Sequence, residues 1–328
     1  MKRIFRAARL LILLLLAIQP AQAVAAAWVC EDGRGSSRVQ AYPCDDFREE
    51  SVDAPAADRE QRHFLWAVRA EGATVWLVGS IHYGSAAMYP LPAAMRRAFA
   101  AATTLAVEAD ITNADIGGLR ELLDTRGRYP PGERLQDHLS PATRERLDAA
   151  VDKVGVYRGL IERQRPWLAA MVLETAAARR EGFREEAGVD RYFLNRRGSR
   201  ELVQLESLRW QVEMLAGLPE PAQLRLLEQA LDSVEQAETL YPELVRAWRG
   251  GDSAAIERLS LGSLRRDEGG ETLYAALFAQ RNAAMADGVV ALLEQPGEAF
   301  MVVGAAHLVG ADGVVERLRR RGYVVEQH

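Results

Sequence analysis

Short apolar runs set between long helical stretches constrain this chain more than any other feature. Phe64–Val68 and Thr74–Val78 are β-like and are joined by Glu71-Gly72, a hairpin signal. Thr104–Val107, Glu201–Leu205, Ala299–Val303 and Tyr323–Glu326 read as further strands, and Asp312–Arg320 as a closing helix. Residues 115–195 and 207–294 are helical in period and composition. Breaks are expected at Pro130-Pro131 and Pro141 in the first stretch, and at Pro219, Pro221, Gly250-Gly251 and Gly269-Gly270 in the second. Strands alternating with helices predict an α/β fold. The helical stretches exceed simple crossovers, so a large helical layer over one edge or face of a central mixed sheet is expected.

Composition removes other classes. The 328 residues are 48% hydrophobic and 27% charged, with 26 Gly and 13 Pro, which excludes a collagenous or wholly disordered chain. The length suffices for one large core or two modest ones. Beyond the N-terminus no apolar run reaches the roughly 18 residues of a membrane span. A formal charge of −5 is not that of a nucleic-acid binder.

The first 23 residues read as an address. Lys2, Arg3, Arg6 and Arg9 precede the apolar run Leu10–Ile18, and Ala21-Gln22-Ala23 is a small-x-small cleavage pattern. Residues 1–23 are expected to be a Sec-type signal peptide, giving a periplasmic or secreted protein without a stable span after cleavage. The competing reading is an uncleaved anchor, for which the run is short. Four basic and no acidic side chains lie in this segment, so its removal takes the charge from −5 to −9.

Residues 24–46 form a small two-cysteine module in this reading, residues 47–62 a charged linker, and residues 63–328 the main domain. Trp28-Val29-Cys30, Gly33, Gly35 and Val39 to Cys44 have the look of a hairpin. Cys30 and Cys44, the only cysteines, are expected to staple it. Such a bridge closes a loop of about 15 residues and stabilises by roughly 3 kcal/mol. A two-thiol metal or redox site would need further soft ligands nearby.

The strand ends carry the chemistry. Val78-Gly79-Ser80-Ile81-His82 and Val303-Gly304-Ala305-Ala306-His307 both follow apolar strands, and each is followed by a glycine, Gly84 or Gly310. Two of the five histidines thus stand at the same offset from a strand end. Ligands of open α/β sheets bind beyond the carboxyl ends of strands, and glycine there permits a tight turn. Glu108 ends a third strand and Glu206 a fourth. Two histidines with one or two carboxylates suit Zn²⁺, Mn²⁺ or Co²⁺. Such an ion polarises a carbonyl and lowers the pKa of bound water to about 7. The competing readings are satisfied core histidines and a Glu108 serving as a helix-start or ion-pair carboxylate. His63, His138 and a frayed terminal His328 are read as surface residues. No Gly-x-Ser-x-Gly elbow occurs, and Gly33-x-Gly35 lacks the rest of a dinucleotide fingerprint.

From about Phe64 to Glu326 the chain resembles the TraB/GumN family, which is related to the Tiki metalloproteases. The resemblance rests on Val78–His82, Tyr89-Pro90-Leu91-Pro92, Leu105–Asp110 and Arg165-Pro-Trp-Leu168, followed by Gly188-Val-Asp190-Arg-Tyr-Phe193, Gln204-Leu-Glu206, Gln280-Arg281-Asn282 and Val303–Gly310. It implies a metal-dependent hydrolase site of His82, Glu108 and His307 as metal ligands, with Arg281 and Asn282 nearby. Arg281 would stabilise an anionic tetrahedral intermediate or hold a substrate carboxylate. Asn282 would orient substrate or a ligand, and Glu206 would be a fourth ligand or the general base. The second motif departs mildly at Ala305-Ala306, leaving both histidines intact.

The expectation is therefore an exported metal-dependent hydrolase acting on a peptide or protein, with a metal-activated water and Glu108 or Glu206 handling the proton. The alternatives are a non-catalytic metal- or ligand-binding envelope protein, and a protein whose helical layer docks a partner. Oligomeric state has no signature in the sequence.

Overall fold

The computed structural model of the protein describes residues 28–31, 37–40, 62–262, 264 and 268–328. Strands β1 (Trp28–Glu31) and β2 (Ser37–Gln40) pair antiparallel, with Cys30 opposite Arg38, as the expected hairpin. Cys44, residues 1–23 and residues 47–61 of the charged stretch lie outside the described residues.

The domain is built on a six-stranded sheet of order β6-β5-β7-β4-β3-β8. β3 (Leu65–Ala70) and β4 (Ala73–Ser80) form the predicted hairpin, and Gly72 takes the left-handed φ of +75° that its turn demands. β5 (Thr104–Val107), β6 (Glu201–Gln204) and β7 (Gly297–Gly304) run parallel to β4, while β8 (Val324–Gln327) pairs antiparallel with β3. Residues 299–304 of β7 are buried on both alternating faces, as in a sheet covered on two sides. The parallel half points four carboxyl ends, those of β6, β5, β7 and β4, to one edge.

Eleven helices longer than one turn are described: α1 (Ala93–Ala101), α2 (Ile116–Arg126), α3 (Pro141–Val154), α4 (Pro166–Arg180), α5 (Val189–Asn195), α6 (Leu208–Ala216), α7 (Glu220–Arg249), α8 (Ser253–Leu261), α9 (Glu268–Tyr274), α10 (Gln280–Leu293) and α11 (Val314–Arg320). α4 lies along α7 and α3 packs on both, which forms the expected helical layer. Trp248, near the end of α7, donates its indole N–H to the Gly79 carbonyl at 2.6 Å and pins that layer to β4. Phe99, Phe193 and Phe300 meet at centroid distances of 4.7 to 5.2 Å, fixing α1 and α5 against β7.

The breaks expected at Pro141 and Pro219-Pro221 are helix starts: Pro141 and Pro221 sit in the first turns of α3 and α7, where a proline forfeits no helical hydrogen bond. Other details differ from expectation. Gly269-Gly270 is no break. It sits in α9, which continues through a π-helical turn at Ala275–Ala279 into α10.

The three remaining histidines are not loose surface groups. His63 is buried at 4% exposure, because its backbone N–H reaches the His328 carbonyl beside the β3–β8 ladder. His328 is tied in turn by its own N–H to Leu65, so it is not frayed. His138 stacks on Tyr129 at 4.2 Å and lies 2.8 Å from both Glu133 and Glu220.

Candidate functional site

The four strand ends deliver their polar residues to one place, each by a different local device. Glu108 follows β5 directly. The β5–β6 ladder continues past both strands through Leu205 N–H to Val107 O and Glu206 N–H to Glu108 O, which sets Glu206 beside Glu108. Ser207 then accepts the Trp210 N–H and starts α6, so the chain turns away immediately after Glu206.

The loop carrying His82 is clamped by residues 184–189. Gly84 and Arg184 exchange backbone hydrogen bonds, and Val189 N–H donates to the Ile81 carbonyl. A Cβ on Gly188 would stand 2.2 Å from the His82 carbonyl oxygen, so only glycine permits this approach. α5 begins there and places Asp190 Oδ1 2.8 Å from His82 Nδ1. His307 occupies the short helical turn Ala305–Leu308 after β7, with Nδ1 2.6 Å from Asn282 Oδ1. Asn282 Nδ2 donates to the Asp312 carbonyl at 2.9 Å, which fixes the amide with its oxygen toward the imidazole.

The two motifs are adjacent but not equivalent. Gly79 lies inside β4 opposite Val303, and Gly304 ends β7 opposite Ser80, so the histidines do not stand at equal offsets from strand ends. Nor does either glycine serve a left-handed turn. A Cβ on Gly79 would sit 2.3 Å from Phe64 Cδ1. A Cβ on Gly304 would lie 3.3 Å from Glu108 Oε1, 3.4 Å from His307 Cδ2 and 3.8 Å from His82 Nε2. Gly304 is thus the floor on which the three sequence-predicted ligands converge.

Arg281, 4% exposed, binds the two carboxylates together. Its Nε donates to Glu206 Oε1 at 2.7 Å, and its Nη2 to Glu108 Oε2 at 2.7 Å and Glu206 Oε2 at 2.8 Å. Nη1 donates to the Leu277 carbonyl in the π-helical turn at 3.2 Å, leaving one guanidinium N–H uncommitted among the described residues. Gln211, on α6, adds a hydrogen bond to Glu206 Oε2 at 2.8 Å. Gly304 N–H donates to Glu108 Oε1 at 2.5 Å.

Electrostatics follow from this network. Burial alone would raise the Glu108 carboxyl, but Arg281, His307, His82 and the Gly304 N–H outweigh it and hold it at about 2. Burial, with Arg281 and His82, pushes His307 down to about 3 against the pull of Glu108. Burial also opposes a charge on His82, yet the Asp190 carboxylate raises it above its ordinary value. Arg281 is held above its usual value by its two carboxylates in spite of burial.

The donor set suits a borderline divalent ion. Each imidazole is oriented through Nδ1, by Asp190 or Asn282, as histidines that bind metal through Nε2 are. A cavity of about 20 Å³ bounded by His82, Glu108, Asp190 and Gln211 has room for one water-sized species. Yet no three His, Cys, Asp or Glu side chains stand close enough together to form a metal-holding group among the described residues. His307 Nε2 is 3.8 Å from Glu108 Oε1, and the carboxylate is engaged by Arg281 and Gly304. A second cavity, of about 170 Å³, lies alongside and is lined by Asp110, Gln204, Ser207 and Arg209.

All six residues proposed from the sequence, His82, Glu108, Glu206, Arg281, Asn282 and His307, are brought together. Asp190 and Gln211 were not singled out. Asp190 had a signal, its place two residues after Gly188 in a quoted motif; Gln211 had none. Among the described residues no helix is long and apolar enough to cross a membrane.

Comparison with known proteins finds relatives over most of the chain. The protein named "Uncharacterized protein YbaP" of Escherichia coli strain K12 is 29% identical over 245 residues, covering 74% of this chain and 87% of its own. An uncharacterized protein of Treponema pallidum strain Nichols is 24% identical over 279 residues, 81% of this chain and 83% of its own. No solved structure matches. Residues 64–327, which hold the whole sheet and every residue of the site, match one family along their length, and the chain belongs to the TraB/PrgY/gumN family.

Proposed function

We propose that the strand-edge site is that of an exported metal-dependent hydrolase acting on peptide or protein substrates. The observation that carries the reading is the convergence of His82, Glu108 and His307 over Gly304, where even a methyl group would touch two of them and approach the third. In this reading these three residues hold a Mn²⁺, Co²⁺ or Zn²⁺ ion. A bound ion of this kind polarises a carbonyl and acidifies a water. The chain's own residues do the rest. Asp190 and Asn282 fix the two imidazoles, and Arg281 holds Glu108 and Glu206 side by side. Glu206, whose chain neighbour Ser207 lines the 170 Å³ cavity, takes the proton. Substrate lies in that cavity, and the last guanidinium N–H meets the developing oxyanion. The two-cysteine module, with a Cys30–Cys44 bridge, precedes this domain in the mature protein.

One observation favours a second reading. Glu108, Glu206 and Arg281 already satisfy one another, and the cavity beside Glu108 is only about 20 Å³, which suits a non-catalytic binding protein whose ion pair is a structural lock.

Elemental analysis of protein purified without chelator, followed by peptide-library assays with Mn²⁺, Co²⁺ and Zn²⁺, separates the two. The hydrolase reading expects about one ion per chain, and cleavage reduced at least about 100-fold in His82→Ala, Glu108→Gln and His307→Ala. The double histidine variant is little worse than either single one, since residues acting as a unit are not additive. Metal without turnover supports the binding protein, and folded variants with unchanged metal content refute the ligand set.

A further inference from the structure

α4 carries a second signal, at a cavity that shares no lining residue with those of the strand edge. From Pro166 to Ala178 its only polar groups are Glu174 and Thr175, besides the Trp167 indole N–H. A helix apolar on every side belongs between two packing partners. One partner is α7. On another side, Leu168, Met171, Val172, Thr175 and Ala176, spaced as one helical stripe, line a cavity of about 670 Å³ that Arg120, Leu123 and Asp124 of α2 line as well. That volume falls within the roughly 300–1,000 Å³ of small-molecule sites.

The rest of the lining is cationic. Arg120, Arg128, Arg179 and Arg180 stand around the cavity against a single acid, Asp124, which pairs with Arg128 at 2.9 Å. Arg120 and Arg180 are exposed and form no ion pair among the described residues. Gln164 also lines the cavity. It is 5% exposed, and its Oε1 has no hydrogen-bond partner among the described residues. A buried amide left unsatisfied is costly, and an amide can turn either end to a ligand, its N–H₂ to an anion or its carbonyl to a hydroxyl.

We propose that this cavity binds a single-chain anionic amphiphile, with the alkyl chain along the α4 stripe and the carboxylate or phosphate head among the arginines and Gln164. The apolar stripe accounts for the chain, the excess of guanidinium groups for the sign of the head, and the unsatisfied amide for a polar group at depth. Its ligand and its location are separate from those of the strand-edge site.

The test is calorimetric titration of the purified full chain with sodium dodecanoate, dodecyl phosphate and dodecyltrimethylammonium, each below its micelle threshold. The expected result is one saturable site with the anions at least about 10-fold tighter than the cation; the tighter anion identifies the head group. Arg120→Glu/Arg180→Glu alters only exposed side chains and should weaken both anions at least 10-fold with an unchanged melting temperature. Val172→Trp, which sets a bulky ring on the apolar stripe inside the cavity, should weaken binding of both anions at least 10-fold. Equal binding of anion and cation, unsaturable binding, or an unchanged anion affinity in the arginine variant overturns the proposal. Heat, not hydrolysis, is the readout, so the result is independent of turnover at the strand edge.

Discussion

The two Gly-x-x-His motifs are alike on paper and different in the molecule. Gly79 is buried under the ring of Phe64, whereas Gly304 faces three polar side chains. His82 rests against a carboxylate, Asp190, and is raised in pKa; His307 rests against an amide, Asn282, and falls to about 3. The first motif is therefore built around packing and a charge-bearing imidazole, the second around a cluster of polar side chains and a neutral one. A shared tetrapeptide pattern specifies where the backbone goes at a strand end. The neighbours contributed by distant segments decide what each residue does there.

Substitutions at the two glycines should separate these roles. The largest effect on stability is expected from Gly79→Ala. Its new methyl would meet Phe64 Cδ1 at 2.3 Å and the Ala305 Cα at 3.0 Å, and the ring is fully buried. Overpacking of this kind costs about 1–3 kcal/mol, measurable by urea denaturation, and Phe64→Leu in the same chain should recover part of it. A Gly79→Ala protein as stable as the parent would erase the distinction.

The intermediate effect is a difference in titration, read by NMR of the ring resonances in chelator-treated protein. His82 should keep its proton above pH 6.5, and His307 should stay neutral until about pH 3. The signs for stability are opposite. The His82 contribution is full below the unfolded pKa and is lost as pH rises through the raised folded value. For His307 the unfolded chain takes a proton below about 6.5 while the folded one does not, so stability falls as pH drops from there towards 3. Matching titrations would mean that Asp190 and Asn282 do not differentiate the motifs.

The smallest effect on stability is expected from Gly304→Ala. The backbone there has φ −53° and ψ 136°, open to any residue, and the tightest contact of a new methyl is 3.3 Å. Unfolding free energy should change by less than about 1 kcal/mol, while bound metal and peptide cleavage fall at least 10-fold. A variant that unfolds would place Gly304 with Gly79 as a packing residue.

How much of this was readable beforehand depended on where each residue sits. Parallel strands covered on both faces are contiguous apolar runs, so β4, β5 and β7 stand out in the sequence. A polar residue directly after such a run is conspicuous, which is why His82, Glu108, Glu206 and His307 were found by reasoning from strand ends. Arg281 and Asn282 lie inside a long helical segment, where a charge and an amide look like any solvated face; only the family resemblance marked them. Asp190 and Gln211 take their roles from tertiary packing, α5 against β7 and α6 beyond β6, which no local pattern encodes. The same holds for Gly269-Gly270, helical through its context although glycine pairs ordinarily end helices. His63 and His328 were misjudged because pairing between strands at opposite ends of the domain is invisible to a local reading.

That last pairing bears on how the domain is assembled. β3 lies between β4 and β8, and Gln327 donates its side-chain amide to the carbonyls of His63 and Gly251, the first of these 264 positions earlier in the chain. During synthesis β3 is among the first parts of the sheet to be made, but one of its two ladders waits for residues 324–327. Until they arrive, Leu65-Trp66-Ala67-Val68 presents an open, apolar edge, the kind of template that recruits other chains. The sheet is therefore sealed last by β8, an outer strand of four residues. Shortening the chain by even five residues from His328 would leave the strand-end site fully encoded and the outer edge of β3 without its ladder.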